Sequence, residues 1–322
     1  MVRWLAAFLL FVTGVSPCAG VPPPSPAGLS LPPLTASILD HIYSGRPELA
    51  IPEARQLQQQ QPNHPLGYLL EAEALWWGIW CTSADYRYGM TMARHREKQP
   101  ADQPYLNLAT KASVLADAQL KQHQTGEMQL YAAMADSLLA RLHSLRWENR
   151  ATARAGVRAR EHYERALALD PTLADAYLGL GLYNYYVDTL STIARILRFV
   201  MGIPGGSKEE GIRQLHLAML YGQLTPAVAR FYLAINLHNY DQRYEEALQL
   251  LRPLVEEYPQ NPLFQLALGD LYAKLGRKPQ ALEAYRAAAA SPNMTEPACQ
   301  RKIQSLVQVS LTTLGGTDLP GH

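Results

Sequence analysis

One spacing of residue types recurs along this chain, and a recurring spacing restricts the fold more than any single motif does. Ala50, Ala54, Leu57 and Pro62 have the same offsets as Ala159, Tyr163, Ala166 and Pro171, and again as Ala247, Leu251, Leu254 and Pro259. Each set begins with a small residue, places apolar residues four and seven positions on, and a proline twelve positions on. Residues spaced by four and seven share one face of an α-helix, and a small first residue lets a neighbouring helix approach closely. The proline has no amide hydrogen to give and ends the helix. Ala281, Tyr285 and Ala288 repeat the pattern 34 residues after Ala247, with the proline one place early at Pro292.

Partner helices follow the prolines. Tyr177, Leu180 and Gly181 come after Pro171, and Leu268, Gly269 and Tyr272 after Pro259, with Gly276 at the turn. With the 34-residue period, these residues resemble the tetratricopeptide repeat family. The likeness is strongest from Tyr163 to Ala288, thinner from Ile38 to Trp80, and weakest from Asp85 to Asn149. A helix pair of this kind cannot bury its apolar stripe alone, so neighbours must stack. The expected fold is all-α, a helix-turn-helix repeat solenoid coiled as a tetratricopeptide-like right-handed superhelix, and no segment shows a convincing period of two. Tyr185 to Ser207 departs from the pattern as an insertion between two helices of a repeat, whose second helix resumes at Gly211, Leu215 and Ala218.

The expected organisation is a signal peptide over residues 1–20, a Pro-rich linker over 21–34, partly degenerate helical repeats over 35–145, tetratricopeptide-like repeats over 146–292 with the insertion at about 185–207, and a capping helix and tail over 293–322. Arg3 supplies the positive start of the signal, Trp4 to Val12 its apolar stretch and Ser16 to Gly20 the small-residue exit. The expectation is export, to the periplasm or cell envelope if the source is bacterial. Cys18 at the cut raises a lipid-anchored alternative, against which Pro17 stands. Cys81 and Cys299 are too few for a disulfide scaffold and lie in different repeats, so two isolated buried thiols are expected, with a bridge as the alternative. Asn293-Met294-Thr295 is a lone glycosylation sequon. Lysine plus arginine number 29 against 28 acidic residues, which gives no global field toward nucleic acid.

Catalytic constellations are absent from the sequence. There is no Gly-x-Ser-x-Gly elbow and no His-Glu-x-x-His pair, and the nine histidines are scattered. Gly202 to Lys208 has the wrong glycine spacing for a phosphate loop and carries Glu209 where a hydroxyl should bind magnesium. Glu71 and Glu73, set in an apolar stretch that includes Trp76 and Trp77, are the carboxylates most open to desolvation, but alternate residues lie on different helix faces. The chain is therefore expected to be no enzyme and to need no cofactor or metal.

The resemblance implies that the first helix of each repeat lines a concave groove. Carried onto this sequence, its inward positions include Tyr185, Tyr186, Tyr232, Asn236, Asn239, Tyr240, Asp270 and Lys274. Asn can both donate to and accept from a peptide backbone and Tyr offers a broad ring with a polar tip, a combination suited to an extended peptide. Packing between repeats is the plain alternative for the tyrosines. Arg146, Arg150, Arg154 and Arg158, spaced by four, make a basic stripe that could hold an anionic partner or form an ordinary solvated face. The 188–201 segment is apolar and amphipathic, suited to peripheral membrane contact or to padding the solenoid. The expected function is a non-enzymatic exported scaffold that binds a protein or peptide through its concave face. The alternative is a solute-binding accessory of an envelope transporter, with Trp76, Trp77 and Trp80 enclosing a small ligand.

Overall fold

A computed structural model describes residues 28–87, 89–189 and 204–315. The signal peptide, most of the Pro-rich linker, Cys18 and the apolar part of the insertion lie outside the described residues. Within them the chain forms thirteen α-helices in antiparallel succession. These are α1 (Leu34–Tyr43), α2 (Pro47–Gln60), α3 (Leu66–Ser83), α4 (Gln103–Leu120), α5 (Gly126–Leu145), α6 (Asn149–Leu169), α7 (Ala176–Thr189), α8 (Lys208–Tyr221), α9 (Pro226–Asn236), α10 (Tyr244–Glu257), α11 (Pro262–Lys274), α12 (Lys278–Ala290) and α13 (Pro297–Thr313). Consecutive helices pack on one another along the whole series, which is the helix-turn-helix solenoid that the spacing implies.

The repeated spacing maps onto this array without exception. Every small and apolar member of the four sets, from Ala50 to Ala288, is buried. Pro62, Pro171, Pro259 and Pro292 each stand two residues beyond the end of α2, α6, α10 and α12. The large member of a set needs a glycine opposite it. A Cβ on Gly179 would lie 1.8 Å from the Tyr163 ring, and one on Gly269 would lie 2.6 Å from the Tyr285 ring, so only hydrogen at those positions lets α6 meet α7 and α11 meet α12 at their observed separation. Asn261 caps α11 by accepting from the amides of Leu263 and Phe264, and Glu296 caps α13 by accepting from Ala298 and Cys299.

A short antiparallel hairpin breaks the helical pattern between α3 and α4, with β1 (Ala84–Arg87) paired to β2 (Met90–Ala93). Four residues per strand are too few for an alternation of polar and apolar residues to stand out in the sequence. The hairpin packs on α11 and α13, far along the chain from its own neighbours.

That contact belongs to the main architectural departure from an open solenoid: the array closes on itself. Helix α13 packs on α3, and Cys81 of α3 is disulfide-bonded to Cys299 of α13 with Cα atoms 5.5 Å apart. The two thiols expected to be isolated therefore meet, because closure brings repeats 218 residues apart into contact. Asn261, while capping α11, donates through Nδ2 to the Tyr43 carbonyl at 2.7 Å. Asn293 donates to the Ser44 carbonyl and the Met294 amide to the Gly45 carbonyl. The sequon asparagine is thus held in a structural contact, and glycosylation of its Nδ2 would break that contact.

Helix α3 runs through the closure as an inner core helix. It has no single apolar face, and thirteen of its eighteen residues are buried, as expected of a helix surrounded by protein. Trp77 meets Phe231, Phe264 and Tyr43 edge-on at 5.2, 5.6 and 6.2 Å between ring centroids, and each such pair adds roughly 0.5–1.5 kcal/mol beyond the apolar area it buries.

Candidate interaction surface

Closure decides which inward positions remain at a surface. Helix α9 is followed by a π-helical turn, Leu237–Asp241, ending at Gln242 with φ +55. Asn236 before the turn and Tyr240 within it meet Tyr185 and Tyr186 of α7, while the Tyr232 hydroxyl reaches Trp76 of α3. Tyr240 is half exposed, and its ring is held at 6.1 Å from both Tyr185 and Tyr186. Tyr185 is fully buried, and its hydroxyl reaches the Asn236 carbonyl and the Asp241 carboxylate at 3.1 and 2.7 Å. Burial and then the Asp241 hydrogen bond raise its pKa. Lys208 closes the end of this contact, bonded to Asp241 at 2.5 Å and lying over the Tyr185 ring.

Asn236 stands in this contact and is buried, accepting at Oδ1 from the Tyr186 hydroxyl at 3.0 Å. Its Nδ2 has no partner, an exception to the rule that buried donors are satisfied. As a result Asn236 supports the surface from below. Asn239 is partly exposed and binds His238 Nδ1 at 3.0 Å. Burial lowers the His238 pKa to about 4, so the ring is neutral at ordinary pH.

Toward α3, Tyr232 belongs to an ionic and aromatic cluster. Arg141 of α5 donates to Glu73 at 2.7 Å and lies over the rings of Trp76 and Tyr232, while Trp76 Nε1 donates to the Tyr232 hydroxyl. Glu73 is thereby committed to an arginine. Glu71 points elsewhere, to Arg55 at 2.8 Å and Gln58 at 2.6 Å. The two carboxylates do not share a site, and nothing in their surroundings forms an acid and base pair. The enclosure that Trp76, Trp77 and Trp80 were expected to make around a small ligand is occupied by Phe231, Phe264, Tyr43 and Tyr105, and nothing in the arrangement supports the solute-receptor alternative. Among the described residues no group of three or more His, Cys, Asp or Glu is placed to hold a metal ion.

Asp270 differs from its expected place in an open groove, whereas Lys274 is exposed beside the hairpin. The Thr91 amide of the hairpin donates to Asp270 Oδ2 at 2.5 Å, and the Lys274 side chain lies 3.2 Å from where a Cβ on Gly89 would be. Asp270 also accepts from the Tyr285 hydroxyl at 2.7 Å. Burial pushes its pKa up to about 7, against the lowering effect of those hydrogen bonds. At Asp270 the hairpin fills the inner face.

The arginine stripe is divided between members held by carboxylates and members that face solvent. Arg146, partly buried with its side chain 7% exposed, binds Asp102 at 2.7 Å, together with Arg96 at 2.8 Å. Burial raises the Asp102 carboxyl, and the two guanidiniums more than offset it, so that its pKa falls below the usual value. Arg158 makes a bidentate pair with the buried Asp136. Of the four, only Arg150 and Arg154 are exposed without a carboxylate at ion-pair distance among the described residues. Sequence spacing could not show this division, because Asp102 is 44 residues from Arg146 and Asp136 is 22 from Arg158.

These features are those of a helical-repeat array. Residues 232–295 match the tetratricopeptide repeat family model, so that stretch of the chain carries tetratricopeptide repeats. No curated protein matches its sequence. Among solved structures it is similar to the crystal structure of the APC/C hetero-tetramer Cut9-Hcn1, at 11% identity and TM-score 0.36, covering 84% of this chain and 48% of that one. It is also similar to yeast Tom70, at 10% identity and TM-score 0.29, covering 87% of this chain and 88% of that one. The chain thus spans about half the length of the Cut9-Hcn1 chain it matches.

Proposed function

We propose that this protein is an exported, non-enzymatic scaffold that engages a protein or peptide partner through the rim formed by Tyr186, Asn239 and Tyr240, the part of the inner face that its own closure leaves open. The observation that carries the reading is the half-exposed Tyr240 ring, held in place by Tyr185 and Tyr186 above a buried asparagine with a spare donor. An aromatic ring already fixed by its neighbours loses little freedom on binding, which favours affinity. Export is supported by the leader-like first twenty residues and by the Cys81–Cys299 bridge, since such bonds persist in oxidising compartments.

The test is affinity purification of the chain from its native source beside an N239A/Y240A variant whose helical signal and melting temperature match the wild type. Partners retrieved by the wild type and lost with the variant support the rim. Identical retrieval by both would sink it. Fractionation of the source cells tests export separately, and recovery of the chain in the cytosol with reduced cysteines would overturn that part.

A further inference from the structure

We infer that the corner between α5 and α6 is a second interaction surface, one that docks on anionic lipid headgroups with Trp147 as the side chain that enters the interface. Trp147 is 68% exposed, the most exposed of the large hydrophobic residues described. It sits at φ +58, in the left-handed region where a β-carbon is strained and glycine is favoured. Helix α5 ends there in the usual way, with the Trp147 amide bonded to the Ser144 carbonyl and the Glu148 amide to the His143 carbonyl, a terminus at which glycine is the common residue. Folding alone thus favours a small residue at this point. The indole is instead kept outside the core, tilted over the exposed His95 ring at 4.3 Å.

The charge around this ring has one sign in excess. The buried Arg96 and the partly buried Arg146, both on Asp102, fasten segment 94–102 to the α5–α6 corner. The two segments 94–102 and 146–154 carry Arg94, Arg96, Lys98, Arg146, Arg150 and Arg154 against Glu97, Asp102 and Glu148, in a chain whose formal net charge is +1. Arg150 and Arg154, four apart on the first turns of α6, face solvent, and the first turn of that helix has no acidic residue. Cations there oppose the helix dipole, which favours anions at that end. An exposed indole followed by Arg150 and Arg154, which have no carboxylate at ion-pair distance among the described residues, matches the headgroup layer of an anionic bilayer, where the ring lies at the polar boundary and each nearby cation adds attraction. No described helix is long and apolar enough to cross a membrane, so this contact is peripheral. The 68% exposed indole beside the cations supplies an apolar group for the bilayer boundary that a purely ionic contact with acidic protein would leave unused, which favours a lipid surface.

The experiment is co-sedimentation of the full chain with vesicles of phosphatidylcholine alone and with 30% phosphatidylglycerol (about 30 mol%), for the wild type, R150Q/R154Q and W147G. The expected result is salt-sensitive binding to the anionic vesicles only, reduced about thirtyfold in R150Q/R154Q if each arginine contributes as a cation usually does at such a surface. W147G separates folding from docking, because glycine relieves the strained backbone: its melting temperature should rise while its vesicle binding falls. Retention of wild-type binding by W147G, or equal binding to both vesicle types, overturns the proposal. So does binding to poly-glutamate that requires Arg150 and Arg154 without any binding to vesicles, which would make the corner a site for acidic protein.

Discussion

Removing the bridge between α3 and α13 should cost this protein a large share of its stability. Cys81 and Cys299 are 218 residues apart in sequence. In the loop-entropy description, cross-linking such a pair lowers the entropy of the unfolded chain by about 18 cal/mol/K, which is about 5 kcal/mol at 25 °C. Whole domains are stable by only about 5–15 kcal/mol. The perturbation is C81A/C299A, and the assay is guanidinium unfolding followed by tryptophan fluorescence, since Trp76, Trp77 and Trp80 lie on the helix that carries Cys81. The variant should lose about 5 kcal/mol. Its dependence on denaturant should also steepen, because an unfolded chain without the cross-link exposes more surface. Hydrogen exchange should accelerate first in α13 and in the 293–296 connection, which depend on the closed seam. A variant within about 1 kcal/mol of the wild type, with the wild-type bridge verified by mass, would refute the reasoning.

The buried Asp270 makes stability depend on pH in a definite direction. Its pKa is raised to about 7 in the folded chain, above its unfolded value of about 3.9. Its contribution is therefore complete below about pH 4 and is lost as pH rises through about 7. D270N, neutral throughout, should flatten the fall in melting temperature between pH 5 and 8, and parallel profiles for the two proteins would exclude Asp270 as the cause. R141M leaves the Glu73 carboxylate facing Trp76 and Tyr232 with no counter-charge, at an expected loss of about 3–5 kcal/mol in chemical denaturation. E73Q/R141M should recover part of that loss, and no recovery would show that the arginine stem and not the ion pair matters.

The helix pairs were legible because their determinants are local. Ala159, Tyr163 and Ala166 share a helix, and Pro171 stops it within the same short stretch, so spacing alone carries the information. Closure was not legible, because it is settled by contacts between distant parts of the chain: Cys81 with Cys299, Tyr43 with Asn261, Thr91 with Asp270. The sequence does hold one trace of it, since α3 is apolar on every side, a pattern that belongs to a surrounded helix and not to the lining of a groove. Among the inward positions, Tyr240 is at the surface as spacing implies, whereas Asn236 is buried beneath it and Asp270 lies under the hairpin. A helical period locates a face, and only the tertiary arrangement determines whether that face meets solvent. The partial likeness over 85–149 reflects the hairpin and the Asp102 cluster, which occupy the sequence where an ordinary repeat connection would be short.

An open repeat array tolerates changes in copy number, because each unit touches only its neighbours and a unit added or lost leaves the others in register. The Cys81–Cys299 seam removes that freedom. Duplicating or deleting one helix pair between α3 and α13 would displace the two half-cystines and, where the change precedes α11, misalign Asn261 with Tyr43. Repeat number in this protein is therefore fixed by ring geometry, and descendants of the chain can vary its outer loops and its rim far more readily than its length.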